Sequence, residues 1–244
     1  MKEEFFKTSE IVLKVENISF FYDKKDLLIK DLSFSLKKNE FLSIIGSSGC
    51  GKSTIIKLIS GIKKMNSGDI VGKKTAYMPQ KDLLLPWRNV LENILLPSEL
   101  SKKNLNEEKK KAIDYLKKLN LEKYEEKYPY ELSGGMKQRV SFIRTLLTDA
   151  DILLLDEPFS ALDAITKENL QKWLLEVLKD FDKSIIFITH DINEAIFLSD
   201  RILVCQNRPL DSFKEYIIPK EKKLDLEFIK EVKEKILIDI GGGK

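Results

Sequence analysis

The run Gly46-Ser47-Ser48-Gly49-Cys50-Gly51-Lys52-Ser53 fits the spacing G-x-x-x-x-G-K-[ST]. Glycines at Gly46, Gly49 and Gly51 let a backbone wrap closely around a phosphate chain. The N–H groups then point inward at the positive end of a following helix. An ammonium at Lys52 can bridge β- and γ-phosphates, and a hydroxyl at Ser53 can ligate Mg²⁺. Cys50 falls at a variable position of the spacing and reads as a spacer. Its place at a helix N-terminus favours thiolate and exposes it to oxidation.

A second set of groups suits hydrolysis. Ile152-Leu153-Leu154-Leu155-Asp156-Glu157 is an apolar run ending in two carboxylates. A buried strand delivers its C-terminal end to the ligand crevice of an α/β sheet. There Asp156 can hold Mg²⁺ through water, and Glu157 can polarise the attacking water. His190, the sole histidine, follows the apolar run Ser184–Thr189. It therefore lies on the same sheet edge, in reach of a γ-phosphate or of the water. Ser133-Gly134-Gly135 precedes a helical stretch, Met136–Leu147, and makes a second anion-binding helix N-terminus. One phosphate loop already serves one nucleotide, so this second element points to phosphate binding elsewhere, another subunit among the choices.

These groups need a scaffold. Ile11–Ser19, Leu32–Leu36, Phe41–Ile45, Thr75–Met78, Asp151–Leu155, Ser184–Thr189 and Ile202–Cys205 read as strands. In the first of them Ile11, Leu13 and Val15 alternate with Val12, Lys14 and Glu16. Asp23-Lys24-Lys25-Asp26 and Lys37–Glu40 read as turns. A helix is expected to start at Ser53. From Asn89 to Leu147 the spacing is helical: Ala112, Leu116 and Leu119 line one face, widened by Ile113, and Val140, Ile143 and Leu147 line another. A helix is also expected over Lys167–Lys179. After Gln206 the signals weaken to a final amphipathic helix marked by Ile229, Val232 and Ile236, with a frayed end at Gly241-Gly242-Gly243. An early β-rich part and a late α/β part thus flank a helical block, and the two outer parts are expected to share one sheet.

Composition sets limits. The 244 residues carry 42 Lys+Arg against 39 Asp+Glu, for a net charge of +3. The lysines interleave with glutamates, as in Glu107-Glu108-Lys109-Lys110-Lys111, which suits a solvated helix face rather than a nucleic-acid patch. Two cysteines without a CxxC pair indicate neither a metal framework nor a disulfide scaffold, and fit a reducing compartment. Met1–Ile11 carries acids and no long apolar stretch, unlike a secretion signal. Apolar runs reach about five residues where a membrane span needs roughly 20, so a membrane role must come through a partner.

With Leu132-Ser133-Gly134-Gly135-Met136-Lys137-Gln138-Arg139 the chain resembles the nucleotide-binding subunits of ABC transporters over nearly its whole length. The motifs stand in that family's order: the phosphate loop at Gly46–Thr54, a glutamine loop at Gln80, the signature at Leu132–Gln138, the acidic strand at Ile152–Asp156 with Glu157, Ser160-Ala161-Leu162-Asp163, and a switch histidine at His190. Tyr22, 30 residues before Lys52, stands where such proteins stack an aromatic on adenine, with Phe20 and Phe21 as neighbouring choices. The resemblance implies an α/β P-loop NTPase (RecA-like) core, an antiparallel β subdomain and an inserted helical subdomain. The core and β subdomain would take about 11–82 and 150–206, the helical part about 86–148, and a tail 207–244. It implies ATP and Mg²⁺ as ligands, with Ser53, Gln80 and Asp156 at the metal. Two copies would pair head to tail. ATP on Lys52, Ser53 and Gln80 of one copy would be covered by Ser133 and Gly135 of the other, with Asp163 linking the sites. Met136 departs from the glutamine usual at its position and leaves the Ser-Gly-Gly core intact.

Gln80-Lys81-Asp82-Leu83-Leu84-Leu85-Pro86-Trp87-Arg88-Asn89-Val90-Leu91-Glu92-Asn93 is similar to importers of the nitrate, sulfonate and taurine group, as is Asn207-Arg208-Pro209. The implied partners are a second copy, integral membrane permease subunits and a separate solute-binding protein, with no nucleic acid. The implied location is the cytoplasmic face of the membrane, held peripherally. Trp87 would anchor packing against the membrane subunit, or else sit in the helical core. Asp69–Thr75 is shorter than is usual in that group. The alternative, a soluble ABC ATPase acting on ribosomes or DNA, would call for two cassettes or a long coiled-coil insertion, and the sequence shows neither.

Overall fold

Among the described residues six of nine strands form one sheet in the order β5-β6-β7-β3-β8-β9, and the candidate site residues collect at its C-terminal edge. The computed structural model describes residues 10–23, 26–160, 162–179 and 182–241. The expectations for Met1 to Ser9, Lys24, Lys25, Ala161, Gly242 and Gly243 therefore lie outside the described residues.

Strands β3 (Phe41–Gly46), β6 (Ile152–Asp156), β7 (Ser184–Ile188) and β8 (Arg201–Cys205) are buried at every position but Gly46. Continuous burial is what a parallel sheet covered on both faces demands of its strands. With β5 (Thr75–Met78) they run parallel, and β9 (Phe213–Ile217) closes the edge antiparallel to β8. The register sets Asp156 beside Ile188 and Gly46 beside Cys205, so the strand ends form one row.

The early and late parts do not share a single sheet. β1 (Ile11–Phe21), β2 (Leu27–Lys37) and β4 (Ser67–Gly72) form a separate antiparallel sheet, ordered β2-β1-β4. Only β3 and β5 of the early part enter the large sheet. The alternation read in β1 also breaks: Val12 and Leu13 are both buried and Ile11 is exposed. The cause is irregular pairing between Ile11 and Leu13, and again between Val15 and Ile18 where Asn17 takes φ 49°. Helix α1 (Lys52–Ile59) lies between the two sheets, its Ile55 and Ile56 sharing one apolar cluster with Leu32 of β2 and Leu154 of β6.

Helices α2 (Val90–Leu100), α3 (Leu105–Lys118) and α4 (Gly134–Leu146) make the helical block. It meets the sheet through α5 (Ala164–Lys179), whose Trp173 stands edge-on to Tyr115 of α3 and Phe142 of α4, with ring centroids 5.9 and 5.7 Å apart. Asn89 and Glu92 form a reciprocal cap on α2. Asn93, fully buried, accepts from Leu85 N–H and donates to the carbonyls of Leu85, Arg88 and Asn89. It fixes the 85–89 turn so that Trp87 stands 70 % exposed, which excludes the core role for that ring. On the far face α6 (Ile192–Leu198) and α7 (Leu226–Gly241) cover β8, α7 through Val232 and Ile236.

Candidate nucleotide site

β3 ends at Gly46, and the next five residues turn back into α1. A Cβ on Gly46 would lie 2.7 Å from Cys205 Cβ, so only glycine permits this approach of the loop to β8. Gly51 caps α1 at φ 109°, again a conformation for glycine. Between them Ser47, Ser48 and Gly49 are exposed. Lys52 opens the helix one residue earlier than expected. Its buried ammonium donates to Gly46 O and Ser47 O at 2.8 Å each, which curls it into the mouth of the loop. Thr54 is buried, and its Oγ1 lies 3.2 Å from the hydroxyl of Tyr22. Of the three neighbouring aromatics Phe20 is buried, Phe21 is half-buried and Tyr22 is exposed. The Tyr22 ring packs edge-on against Phe20, and the Lys63 ammonium stands 4.5 Å from its centroid.

Asp156 belongs to β6 itself and is buried. Ser53 Oγ donates to Oδ1 at 3.0 Å, and the Tyr77 hydroxyl donates to Oδ2 at 3.2 Å. Burial pushes this carboxyl above its ordinary pKa, against the pull of those two hydrogen bonds. Burial, then the Asp156 charge, pushes the Tyr77 phenol up as well. A desolvated carboxylate beside a serine hydroxyl supplies two hard oxygens, the donor chemistry that Mg²⁺ takes alongside phosphate and water. Sequence reasoning missed Tyr77; the signal was a phenol on the strand next to β6, two residues before Pro79.

Glu157 takes φ 48°, uncommon for a residue with a Cβ. Its N–H donates to Ile188 O at 3.0 Å, so the turn is fixed to the end of β7. Its carboxylate accepts from Gln80 Nε2 at 2.9 Å and lies 3.5 Å from His190 Nδ1. Gln80 thus reaches Glu157, and no hydrogen bond joins it to the Ser53–Asp156 pair among the described residues. His190 is 68 % exposed. Two residues not anticipated steady it: Lys167 of α5 pairs with Asp191 at 2.9 Å and with Glu194, which in turn accepts from Thr189.

Ser133, Gly134, Gly135 and Asp163 stand apart. Ser133 caps α4, accepting from Met136 N–H at 3.3 Å, and both it and Gly134 are exposed. Asp163 is exposed at the start of α5, and hydrogen bonds from the Thr166 hydroxyl and then the Thr166 N–H hold its carboxyl below the ordinary range. Among the described residues no hydrogen bond or ion pair links Ser133, Gly134 or Gly135 to residues 46–54. The nearest tie is Gln138 of α4, which donates to Glu157 O at 3.3 Å.

The ABC transporter family profile matches residues 29–160, over half of the chain. The chain belongs to the ABC transporter ATP-binding family. It is 41 % identical over 219 residues to the formylaminopyrimidine import ATP-binding protein ThiZ of Halalkalibacterium halodurans, covering 88 % of each chain. It is 36 % identical over 241 residues to the aliphatic sulfonates import ATP-binding protein SsuB of Bacillus cereus, covering 93 % of this chain and 95 % of the relative. The dimeric structure of an ATP-binding cassette in a post-hydrolysis state, bound to ADP and Pi, superposes with a TM-score of 0.75 at 28 % identity, covering 85 % of this chain and 99 % of that one. This ABC cassette is an ATPase with the α/β P-loop fold.

Proposed function

We propose that the chain is the ATP-hydrolysing subunit of a membrane importer and works as a head-to-tail dimer. The observation that carries this reading is the separation just described. The Lys52 loop and the Ser133-Gly134 helix end are both built for anions, and both are exposed and apart within one copy. Each site is then half complete, and a second copy supplies the other half.

In such a dimer Tyr22 stacks on adenine, the loop N–H groups and Lys52 hold the β- and γ-phosphates, and Ser133 and Gly135 of the second copy close over the γ-phosphate. Ser53 and Asp156 would hold Mg²⁺, which would supply positive charge against the phosphates. Glu157 takes the proton of the attacking water, while His190 orients the γ-phosphate and the carboxylate. Gln80 gives up Glu157 as it turns toward the bound nucleotide. Asp163 carries contact between the two sites.

The partners we propose are integral membrane permease subunits, which would keep the chain at the cytoplasmic face, and a separate solute-binding protein. Among the described residues no helix is long and apolar enough to cross a membrane. Trp87, exposed on a fixed turn after Gln80, is the anchor for the membrane subunit. The cargo is a small solute. The Leu-Leu-Pro-Trp-Arg segment and the sulfonate-import relative favour an anion such as a sulfonate, taurine or nitrate. The formylaminopyrimidine-import relative keeps the class open to heterocycles. Co-purification of the chain with an integral membrane protein, lost with Trp87→Ala, tests the transport role. Stable association with ribosomes or DNA instead would overturn it.

A further inference from the structure

Cys50 and Cys205 are far apart in sequence and meet over Gly46. Strands β3 and β8 run in register with Gly46 beside Cys205. Measured from the place a Cβ would take on Gly46, Cys205 Cβ is 2.7 Å away and Cys50 Sγ is 3.2 Å away. Both side chains therefore converge on the bare face of one glycine, and both are buried. The Cys205 Cβ and the Cys50 sulfur thus lie close to one point, the two thiols are hydrogen-bonded to each other, and rotation about χ1 can bring such neighbouring sulfurs to bonding distance. Lys52 Nζ stands 3.7 Å from Cys50 Sγ.

The two thiols also differ. A hydrogen bond from Cys205, helped by the Lys52 charge, holds the Cys50 thiol below its ordinary pKa. The same bond, with burial, holds Cys205 well above. With the Lys52 ammonium beside it, Cys50 is the sulfur suited to attack and Cys205 the one suited to resolve. Cys50 is buried and directly follows exposed Ser47, Ser48 and Gly49 in the loop.

We propose that Cys50 and Cys205 are a peroxide-responsive thiol pair whose disulfide switches off nucleotide binding at the Lys52 loop. Cys50 thiolate attacks one peroxide oxygen, the O–O bond breaks, and the departing hydroxide takes a proton to become water. Cys205 then attacks the Cys50 sulfenic sulfur, the S–O bond breaks, and the hydroxide leaves with the Cys205 proton as a second water. Two thiols lose two electrons and two protons, and one peroxide becomes two waters. The bond clamps the loop at both ends. Gly46 is already held in the β3–β8 ladder, and Cys50 becomes tied to Cys205, the residue paired with Gly46 there. A loop fixed in this way cannot adjust around a phosphate chain, and the sulfur beside Lys52 loses its negative charge.

The nucleotide half of this proposal rests on the loop assignment above; the bond itself does not. The test treats the reduced full chain with hydrogen peroxide, blocks free thiols with iodoacetamide, and reads intact mass, linked peptides and binding of a fluorescent ATP analogue. The expected result is a loss of about two mass units and a Cys50–Cys205 peptide, both reversed by dithiothreitol. Nucleotide affinity should fall by at least about tenfold and recover with the reductant. MgATP bound beforehand should slow the reaction. Cys205→Ser and Cys205→Ala should bind nucleotide as the parent does before oxidation, and afterwards add oxygen to Cys50 without a linked peptide. Absence of the linked peptide while both thiols are consumed overturns the proposal. So does a linked peptide that forms with affinity unchanged. A chain that fails to bind nucleotide even when reduced overturns the loop assignment, and the mass reading still decides the bond.

Discussion

Replacing Glu157 by glutamine removes a proton acceptor and little else. The amide keeps an oxygen to accept from Gln80 Nε2, which now donates at 2.9 Å. The side chain keeps its length, and the backbone at φ 48° meets the same β-carbon. Stability should therefore stay within about 0.5 kcal/mol of the parent. General-base catalysis is worth roughly 10²–10⁴-fold, which at 1.36 kcal/mol per tenfold is about 2.7–5.4 kcal/mol of barrier. Phosphate release at saturating MgATP should fall by that factor, with nucleotide affinity retained. ATP that is bound and not cleaved should hold two copies together, so light scattering should show a dimer that the parent forms only transiently. His190 Nδ1 lies 3.5 Å from the same Glu157 oxygen, so the two groups should act as a unit. Glu157→Gln combined with His190→Ala should be little slower than Glu157→Gln alone. Turnover within threefold of the parent would refute Glu157 as the base, and a monomer under saturating ATP would refute the shared site.

Ser133→Arg should leave ATP affinity at Lys52 unchanged and abolish turnover. Mixing it with Lys52→Ala should restore part of the activity, because one complete site then forms per heterodimer; no recovery on mixing counts against sites built from two copies. Asp156 has its folded pKa raised by burial, so the folded chain binds its proton more tightly than the unfolded chain. Its charge thus lowers stability above that folded pKa, and the penalty vanishes below the unfolded carboxylate range. Without nucleotide or divalent cation, Asp156→Asn should melt above the parent at neutral pH and lose that advantage in acid, while added Mg²⁺ should stabilise only the parent; equal melting across the pH range would contradict the desolvation argument. Arg201 is buried against Glu40 at 2.7 Å, and Arg201→Met would leave that carboxylate unpaired. The expected loss is about 3–5 kcal/mol, or roughly 6–20 °C in a thermal melt of a chain this size. Adding Glu40→Leu should recover much of it, and a single variant that melts with the parent would show the pair to be incidental.

The site lies where burial and periodicity are strongest, which is why its strands were legible. The runs ending in Gly46, Asp156 and Thr189 are continuous and apolar, and each reads as a buried strand with its chemistry at the tip. β4 and β9 were not read, because edge strands alternate weakly: Phe213 to Ile217 has no buried residue. The split into two sheets was also hidden, since hydrophobic alternation says that a strand is half-buried and not which sheet it joins. Tyr77, Lys167 and Glu194 act through partners on other elements. The approach of Cys205 to Cys50 depends on the β3–β8 register, which the local pattern around either cysteine does not encode.

Asn93 makes four hydrogen bonds to the turn that carries Trp87. That turn begins five residues after Gln80, which touches Glu157. The segment between them is short, and its far end is stiff. Machines that convert a chemical step into work lose output to compliance, so a soft turn would absorb the stroke. In the proposed importer a single buried amide, far from any reacting atom, would make Trp87 a tooth on a rigid gear rather than on a spring.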